Sequence, residues 1–209
     1  MTPSPPSLVI RDAVPRDAFA ITQVLTAALQ DSPIGQWMDP DPHSRHLVLL
    51  RYAGALATRV LGSGIVRLIE DAGEVVAAAL WSLDPLVALS PVPAGGVIDG
   101  PAGESVLDRL NLLHEVTQTR RPWHQAHQQL LLLGVRPGRQ RQGLGGYLLI
   151  GHHTYLHVTG IGGYAITVDG AGQQLLERHG YSPIGPPQLL PGAVPVSAMW
   201  RPPVVADPR

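Results

Sequence analysis

Residues 130–149 read LLLLGVRPGRQRQGLGGYLL, and no other stretch of the chain carries so strong a structural signal. The apolar run that ends at Val135 predicts a buried strand, which is followed by a proline turn and a basic loop. Three glycines lead into the next apolar segment: Gly143, Gly145 and Gly146. This order predicts strand, loop and helix, in which small residues let the backbone approach an anion and the helix start presents free N–H groups. Arg139 and Arg141 add positive charge, so the stretch predicts a site for a pyrophosphate-bearing ligand.

The composition is that of a globular chain. Its 209 residues are 44% hydrophobic, with a mean hydropathy of +0.10, which is enough for one well-packed domain. We expect a single domain over residues 8–202, with flexible termini at 1–7 and 203–209. The net charge of −1 disfavours a general nucleic-acid-binding surface. Cysteine is absent, which excludes disulfides, Cys-ligated zinc and a Cys nucleophile.

The sequence also lacks the features of membrane or secreted proteins. Its N-terminus has no charged region followed by a long apolar run, and no window reaches the ~18 uncharged apolar residues of a membrane span. We therefore expect a cytoplasmic protein that does not bind membranes.

Helices and strands alternate along the chain, which predicts an α/β fold with a mixed sheet and helices on its faces. Strands are expected at residues 8–10, 65–69, 74–81, 128–135, 164–168, 181–184 and 196–200. Helices are expected at residues 14–29, 46–61, 104–119, 144–158 and 171–179. A helix break is expected at Asp31-Ser-Pro-Ile-Gly35, a hairpin turn at Asp71-Ala-Gly73, and a Pro- and Gly-rich loop at 85–103.

The central motif resembles the acetyl-CoA motif of the GNAT acyltransferase superfamily. That motif is a strand ending in Val-x-Pro, here Val135-Arg-Pro137, followed by Gln/Arg-x-x-Gly-x-Gly/Ala, here Gln140 to Gly145. Downstream, Gln174-Leu-Leu-Glu-Arg-His-Gly-Tyr181 resembles the family's closing helix and the Gly-aromatic start of the next strand. Within the superfamily the chain is most similar to the puromycin N-acetyltransferase type, through Asp31-Ser-Pro33, Asp39-Pro-Asp41 and Ala79-Leu-Trp81. The resemblance spans nearly the whole chain, but only residues 127–181 match specifically.

The resemblance implies the GNAT fold, a mixed and mostly antiparallel central sheet with splayed strands 4 and 5 and helices on both faces. It implies acetyl-CoA as co-substrate and no metal. The Val135 amide would hold the acyl carbonyl, and the amides of Gln140 to Gly145 would cradle the pyrophosphate. The CoA-binding residues implied in this way are Leu133, Gly134, Val135, Gln140, Arg141, Gln142, Gly143, Leu144, Gly145 and Gly146.

The chain differs from the family at the positions of the general acid and the general base. The family commonly places a Tyr acid where this chain has Leu176, which cannot donate a proton. The thiolate could leave unassisted or through water, Tyr181 or Tyr147 could substitute as the acid, or the protein could have lost acetyl transfer. Residues 125–135 contain no acidic base, so His127 is the leading candidate base, with a capping role at the strand start as the alternative. Weaker candidates from the preceding helix and loop are His124, His114 and Glu115.

Other side chains are candidates for the acceptor pocket. Asp31 and Asp39 could hold an ammonium group, although turn or cap roles suit them equally. Trp37 and Trp81 could line the pocket, although core packing is the commoner use of Trp. His153 and His157 are one helical turn apart, a spacing that metal sites use, but no third ligand accompanies them and a solvated helix face is favoured.

The sequence therefore predicts an N-acyltransferase that moves an acetyl or other acyl group from CoA to a primary amine of a small molecule. Antibiotic resistance and specialised metabolism are the settings that the resemblance suggests, and a monomer or homodimer is expected. Two alternatives stay open. One is a GNAT-fold module that binds CoA without turnover, and the other is an acyltransferase that uses a carrier-protein or aminoacyl-tRNA donor.

Overall fold

The computed structural model describes residues 8–82 and 106–204. The strands are β1 (Leu8–Asp12), β2 (Gly64–Asp71), β3 (Glu74–Ser82), β4 (His127–Val135), β5 (Gly162–Thr167), β6 (Ser182–Pro183), β7 (Gln188–Leu190) and β8 (Val194–Arg201). The helices are α1 (Ala18–Leu29), α2 (Pro33–Met38), α3 (Pro42–Ser63), α4 (Val106–Thr119), α5 (Leu144–Thr159) and α6 (Gly170–Arg178). None of these helices is both long enough and apolar enough to cross a membrane. The predicted loop at 85–103, the start of the predicted helix at 104–105 and the termini at 1–7 and 205–209 lie outside the described residues.

The strands form one mixed sheet in the order β1-β2-β3-β4-β5-β8-β6, and β7 pairs with β8 as well. Among the described strand pairs, only β4 and β5 run parallel. The predicted hairpin between β2 and β3 is confirmed, since Ala72 and Gly73 both have positive φ, as a two-residue turn between twisted strands requires. This topology confirms the predicted fold class.

Helices cover both faces of the sheet because the central strand β3 is apolar on both sides. All of its residues except Glu74 are buried. Ala78 and Leu80 pack in the hydrophobic cluster formed with α1 and α3, whereas Ala79 and Trp81 pack in the cluster formed with α5. Such continuous apolar character is expected of a strand that is covered on both faces.

Strands β4 and β5 pair over only part of their length. Residues 127–130 lie opposite 162–165, and from there each strand continues without pairing to the other. A bulge in β4 at Leu131, which has no partner in the register with β3, falls where the two strands separate. Because a bulge bends its strand and increases the local twist, it accounts for the gap that opens between β4 and β5. The predicted splay of strands 4 and 5 is thus confirmed.

Three elements differ from the sequence prediction: α2, the start of α3, and β7. Helix α2 occupies residues where a break was expected, because Ser32 accepts a hydrogen bond from the Gly35 amide (3.1 Å) and the proline that follows tolerates the first helical turn. Helix α3 likewise begins at Pro42 rather than at 46, since the Asp41 carboxylate accepts from the His43 amide (3.0 Å). In the predicted Pro-rich loop before β8, residues 188–190 form β7 instead.

Candidate active site

The loop after β4 folds back onto the end of that strand. Its first turn is closed by the Arg139 amide, which donates to the Arg136 carbonyl (3.0 Å). The Gln140 side chain then donates through Nε2 to the Val135 carbonyl (3.1 Å). These two bonds fix the loop against the strand before helix α5 begins.

Helix α5 begins with its backbone donors exposed to a cleft. Gly143 is its N-cap residue with a φ of +80°, a conformation that side-chain-bearing residues rarely adopt. Within residues 8–82 and 106–204, the amides of Gly143, Leu144, Gly145 and Gly146 donate no hydrogen bond to another backbone group. These amides face a cleft of about 610 Å³ whose lining includes residues 139–141 and 143–146. Free N–H groups at a helix start and the helix dipole make this an anion-binding arrangement.

The end of β4 adds further donors to the same cleft. The Arg136 amide donates to the Val76 carbonyl in β3 (2.9 Å). Because successive residues of a strand point their backbone groups to opposite sides, the amides of Val135 and Leu133 point away from β3, into the gap beside β5. Leu133, Gly134 and Val135 all line the cleft. A row of backbone N–H donors, which we call the donor rail, therefore runs from Leu133 and Val135 in the gap to residues 143–146 at the start of α5.

Gly134 brings the first helix close to this rail. A Cβ atom at this position would lie 2.9 Å from Ala28 Cβ and 3.0 Å from Leu25 Cδ2, distances too short for carbon atoms in contact. Glycine is thus required for α1 to pack directly on the end of β4, and this packing holds the neighbouring Val135 amide in place.

Positive charge at the cleft comes from residues that the sequence only partly indicated. Arg139 is bound through its guanidinium to Asp71 in the β2–β3 hairpin, and its Nε donates to Gln142 (3.0 Å). Arg141 and Arg178, by contrast, are exposed, line the cleft and make no ion pair with another described residue. Arg178 was not predicted, because a basic residue in the last turn of a helix is common and carries no specific signal.

A smaller chamber of about 220 Å³ adjoins the cleft on the side of α1, α3 and α4. The two spaces share lining residues, among them Leu133, Asp169 and Leu175. The chamber continues the gap between the strands, since residues 130–133 of β4 and 166–168 at the end of β5 form two of its walls. Gln129 and Tyr52 also line it, and neither was predicted as a site residue.

His127 lies at the other end of β4. It pairs with Gly162 where the two strands are still hydrogen-bonded, about 26 Å along the strand from Val135. Its Nδ1 bonds to the Gln125 carbonyl (2.6 Å) and its Nε2 accepts from Arg121 (3.0 Å). Burial lowers the pKa of His127, as does the Arg121 charge, against the opposing effect of the Gln125 bond. Both ring nitrogens are hydrogen-bonded away from the cleft. This geometry suits a side chain that fixes the start of β4, the alternative to a catalytic base.

The two tyrosines considered as acids also lie away from the cleft. Tyr181 is 3% exposed, and its hydroxyl packs against Gly163 in the core beneath α5. Tyr147 is half exposed on α5 and lines neither the cleft nor the chamber. Leu176, at the family's usual acid position, is buried and lines the chamber. Neither tyrosine is therefore positioned to protonate a leaving group in this space.

Of the four residues predicted for the acceptor pocket, one lines the cleft and three do not. Asp31 lines the cleft. Trp37 is a core residue whose indole donates to the Pro191 carbonyl (3.0 Å), and Trp81 stacks on His152 on the opposite face of the sheet. Asp39 accepts hydrogen bonds from the Ser44 hydroxyl and from the Asp41 amide, which is a turn role beside the Asp41 cap of α3. Trp37, Trp81 and Asp39 line neither space. Among the described residues, no group of three or more His, Asp or Glu side chains is arranged to hold a metal ion.

No family model and no curated protein matches the sequence. Solved structures do resemble it along nearly its whole length. One is described as histone acetyltransferase HPA2 and related acetyltransferase from Corynebacterium glutamicum (21% identity, 96% of this chain and 98% of that chain, TM-score 0.66). Another is a mosquito arylalkylamine N-acetyltransferase like 5b (15% identity, 93% and 99%, TM-score 0.65). A third is the PaiA N-acetyltransferase from Thermoplasma acidophilum in complex with coenzyme A (10% identity, 94% and 99%, TM-score 0.58). The chain has the fold of the GNAT acetyltransferases, as its sequence motif predicted.

Proposed function

We propose that the protein is a GNAT-type N-acyltransferase that moves an acetyl or other short acyl group from CoA to the amine of a small molecule. The observation that carries the proposal is the rail of unpaired backbone donors along the gap between β4 and β5, which ends at the start of α5. A ligand with a long polar arm and a pyrophosphate matches such a rail in shape and in charge. The similarity of the fold to N-acetyltransferases and to a CoA complex supports the same assignment.

Different residues along the donor rail would bind different parts of CoA. The amides from Gln140 to Gly146 and the α5 dipole would hold the pyrophosphate, helped by Arg141 and Arg178. We place the acyl carbonyl at the Leu133 amide, which would stabilise the negative charge that develops on the carbonyl oxygen, because Leu133 lines both the cleft and the chamber. The Val135 amide, nearer to the start of α5, would bond the pantetheine arm. CoA supplies an activated acyl thioester to this arrangement. No metal is needed, because backbone donors and a helix start provide the positive potential.

A CoA-binding module without turnover is the second candidate. One observation favours it, since the family's acid position is Leu176 and neither Tyr181 nor Tyr147 reaches the cleft. Direct transfer needs no protein acid if the thiolate leaves through water, so the acyltransferase stays the leading proposal. The sequence resemblance to puromycin N-acetyltransferases suggests that the activity serves antibiotic resistance or specialised metabolism.

A thiol-release assay separates the two candidates. The purified protein is incubated with acetyl-CoA and a panel of aromatic, alkyl and polyamine acceptors, and free thiol is followed with a chromogenic reagent. The acyltransferase is supported by amine-dependent thiol release that matches formation of an acylated product by mass spectrometry. Saturable CoA binding without thiol release for any amine would instead support the binding module.

A further inference from the structure

The chamber beside the cleft is walled by apolar groups. Its described lining includes side chains from five helices and two strands, such as Ile34, Met38, Leu113, Leu132 and Ile166. A volume of about 220 Å³ suits one ring with small substituents. Since the chamber opens into the cleft beside Leu133, a group seated there lies next to the end of the donor rail.

Gln129 supplies an unused polar group to this chamber. The residue is only 2% exposed, and its Oε1 has no hydrogen-bond partner among the described residues. It lies opposite Tyr164 in the register with β5, and the Tyr164 hydroxyl bonds to Thr117 in α4, so both side chains lie on the face that carries the chamber. A buried acceptor without a partner costs stability, and Gln129, unlike its neighbour Gln128, lines a chamber in which a ligand can supply the missing donor.

Tyr52, from α3, adds a second polar group to the chamber lining. Its side chain is 6% exposed and its hydroxyl makes no hydrogen bond to another described residue. Burial raises the pKa of Tyr52 to about 12, so the hydroxyl keeps its proton at neutral pH. The chamber thus offers two neutral polar groups, an amide and a phenol.

Charged groups are nearly absent from the chamber lining that the structure describes. The one carboxylate there belongs to Asp169, which sits at the opening shared with the cleft and caps α6 by accepting from the Gly172 amide (2.5 Å). No histidine or arginine is among these lining residues. Among the described lining residues, an alkylammonium group inside the chamber would therefore lose its hydration and find a carboxylate only at the opening, where Asp169 already caps α6. None of these residues is a base placed inside the chamber to remove its proton.

We infer that the acceptor is an aromatic, weakly basic amine whose ring fills this chamber and whose nitrogen donates a hydrogen bond to Gln129 Oε1. The inference rests on the proposed acyltransferase function and narrows its acceptor. Such an amine is uncharged at neutral pH, so its lone pair is available without a catalytic base. This matches a chamber in which the described residues provide none.

The chemistry balances without a further reactant. The nitrogen lone pair forms the C–N bond at the thioester carbonyl carbon, and the C–S bond breaks with its electrons going to sulfur. The nitrogen loses one proton and the sulfur gains one through water. The products are a neutral N-aryl amide and the free thiol of CoA.

The test compares aniline with benzylamine, which present similar rings but differ in basicity. With acetyl-CoA at neutral pH, we expect kcat/KM for aniline to exceed that for benzylamine by about tenfold or more. Gln129→Leu should lower kcat/KM for aniline by up to about tenfold and leave the Kd for CoA unchanged. Gln129→Glu, which places a carboxylate in the chamber, should shift the preference towards benzylamine.

Gln128→Leu is the matched control. Gln128 neighbours Gln129 on β4, is equally buried with an unpartnered Oε1, and lines neither space because it lies on the other face of the sheet. It should leave the aniline-to-benzylamine ratio unchanged. A wild-type preference for benzylamine, or equal effects of Gln128→Leu and Gln129→Leu on that ratio, would overturn the inference while leaving acyl transfer intact. CoA binding without thiol release for any amine would overturn both.

Discussion

Gly134→Ala tests whether helix α1 sets the position of the donor rail. The added methyl group would lie 2.9 Å from Ala28 Cβ, 3.0 Å from Leu25 Cδ2 and 3.5 Å from Leu25 Cα. Ordinary carbon contacts are about 3.5–4.0 Å, so α1 and β4 must separate by about 0.5–1 Å. Overpacking of this kind costs about 1–3 kcal/mol, and the lost flexibility of glycine returns about 0.5–1 kcal/mol. The two contributions together give a fall in the free energy of unfolding of about 0–2.5 kcal/mol, centred near about 1 kcal/mol.

Equilibrium unfolding in urea, followed by circular dichroism, measures this change. Calorimetric titration with CoA should show weaker binding as well, because the shift moves the Val135 amide. Gly62→Ala is the control, since a Cβ at this helical position in α3 meets nothing within 4 Å and should stabilise the protein by about 0.5–1 kcal/mol. A Gly134→Ala protein with wild-type stability and CoA affinity would refute the argument that α1 braces the rail.

Two further predictions concern charge. His152 is fully buried, and burial lowers its pKa to about 3, so between pH 7 and 5 the unfolded state binds a proton that the folded state does not bind. The free energy of unfolding should therefore fall as the pH drops from about 7 to 5. The variant His152→Phe should reduce that fall by about 2 kcal/mol, as measured by urea unfolding at each pH. An unchanged pH dependence in this variant would contradict the assignment of a neutral buried ring. Arg178→Gln should weaken CoA binding several-fold at low salt and less at high salt, whereas Arg139→Gln, whose charge Asp71 already balances, should change affinity little. Equal losses of CoA affinity in Arg178→Gln and Arg139→Gln would contradict the argument that Asp71 balances the charge of Arg139.

The donor side of the site could be predicted from the sequence because its parts are local. The strand that ends at Val135, the loop after it and the helix that begins beyond Gly143 are contiguous, and each carries its own signal in turn, glycine and apolar residues. The bulge at Leu131 that helps to open the gap has no such signal, and the splay was expected only from the family resemblance.

The chamber could not be predicted in this way. Gln129 and Tyr52 come from elements far apart in the sequence, and neither residue type in a strand or helix is unusual by itself. His127 shows the limit of proximity in sequence, since a side chain eight residues before Val135 lies at the opposite end of β4. Short helix α2 was missed because Ser-Pro is as typical of a helix start as of a break.

The CoA site at the start of α5 is tested most directly by a calorimetric titration of CoA into the wild type and two valine variants. Gly143→Val adds a side chain to the cleft at a φ of +80°, whereas Gly160→Val imposes similar backbone strain, at a φ of +65°, at the far end of the same helix. We expect one CoA per chain for the wild type and for Gly160→Val, and loss of binding for Gly143→Val. No CoA binding by the wild type, or wild-type affinity in Gly143→Val, would contradict the proposed CoA site.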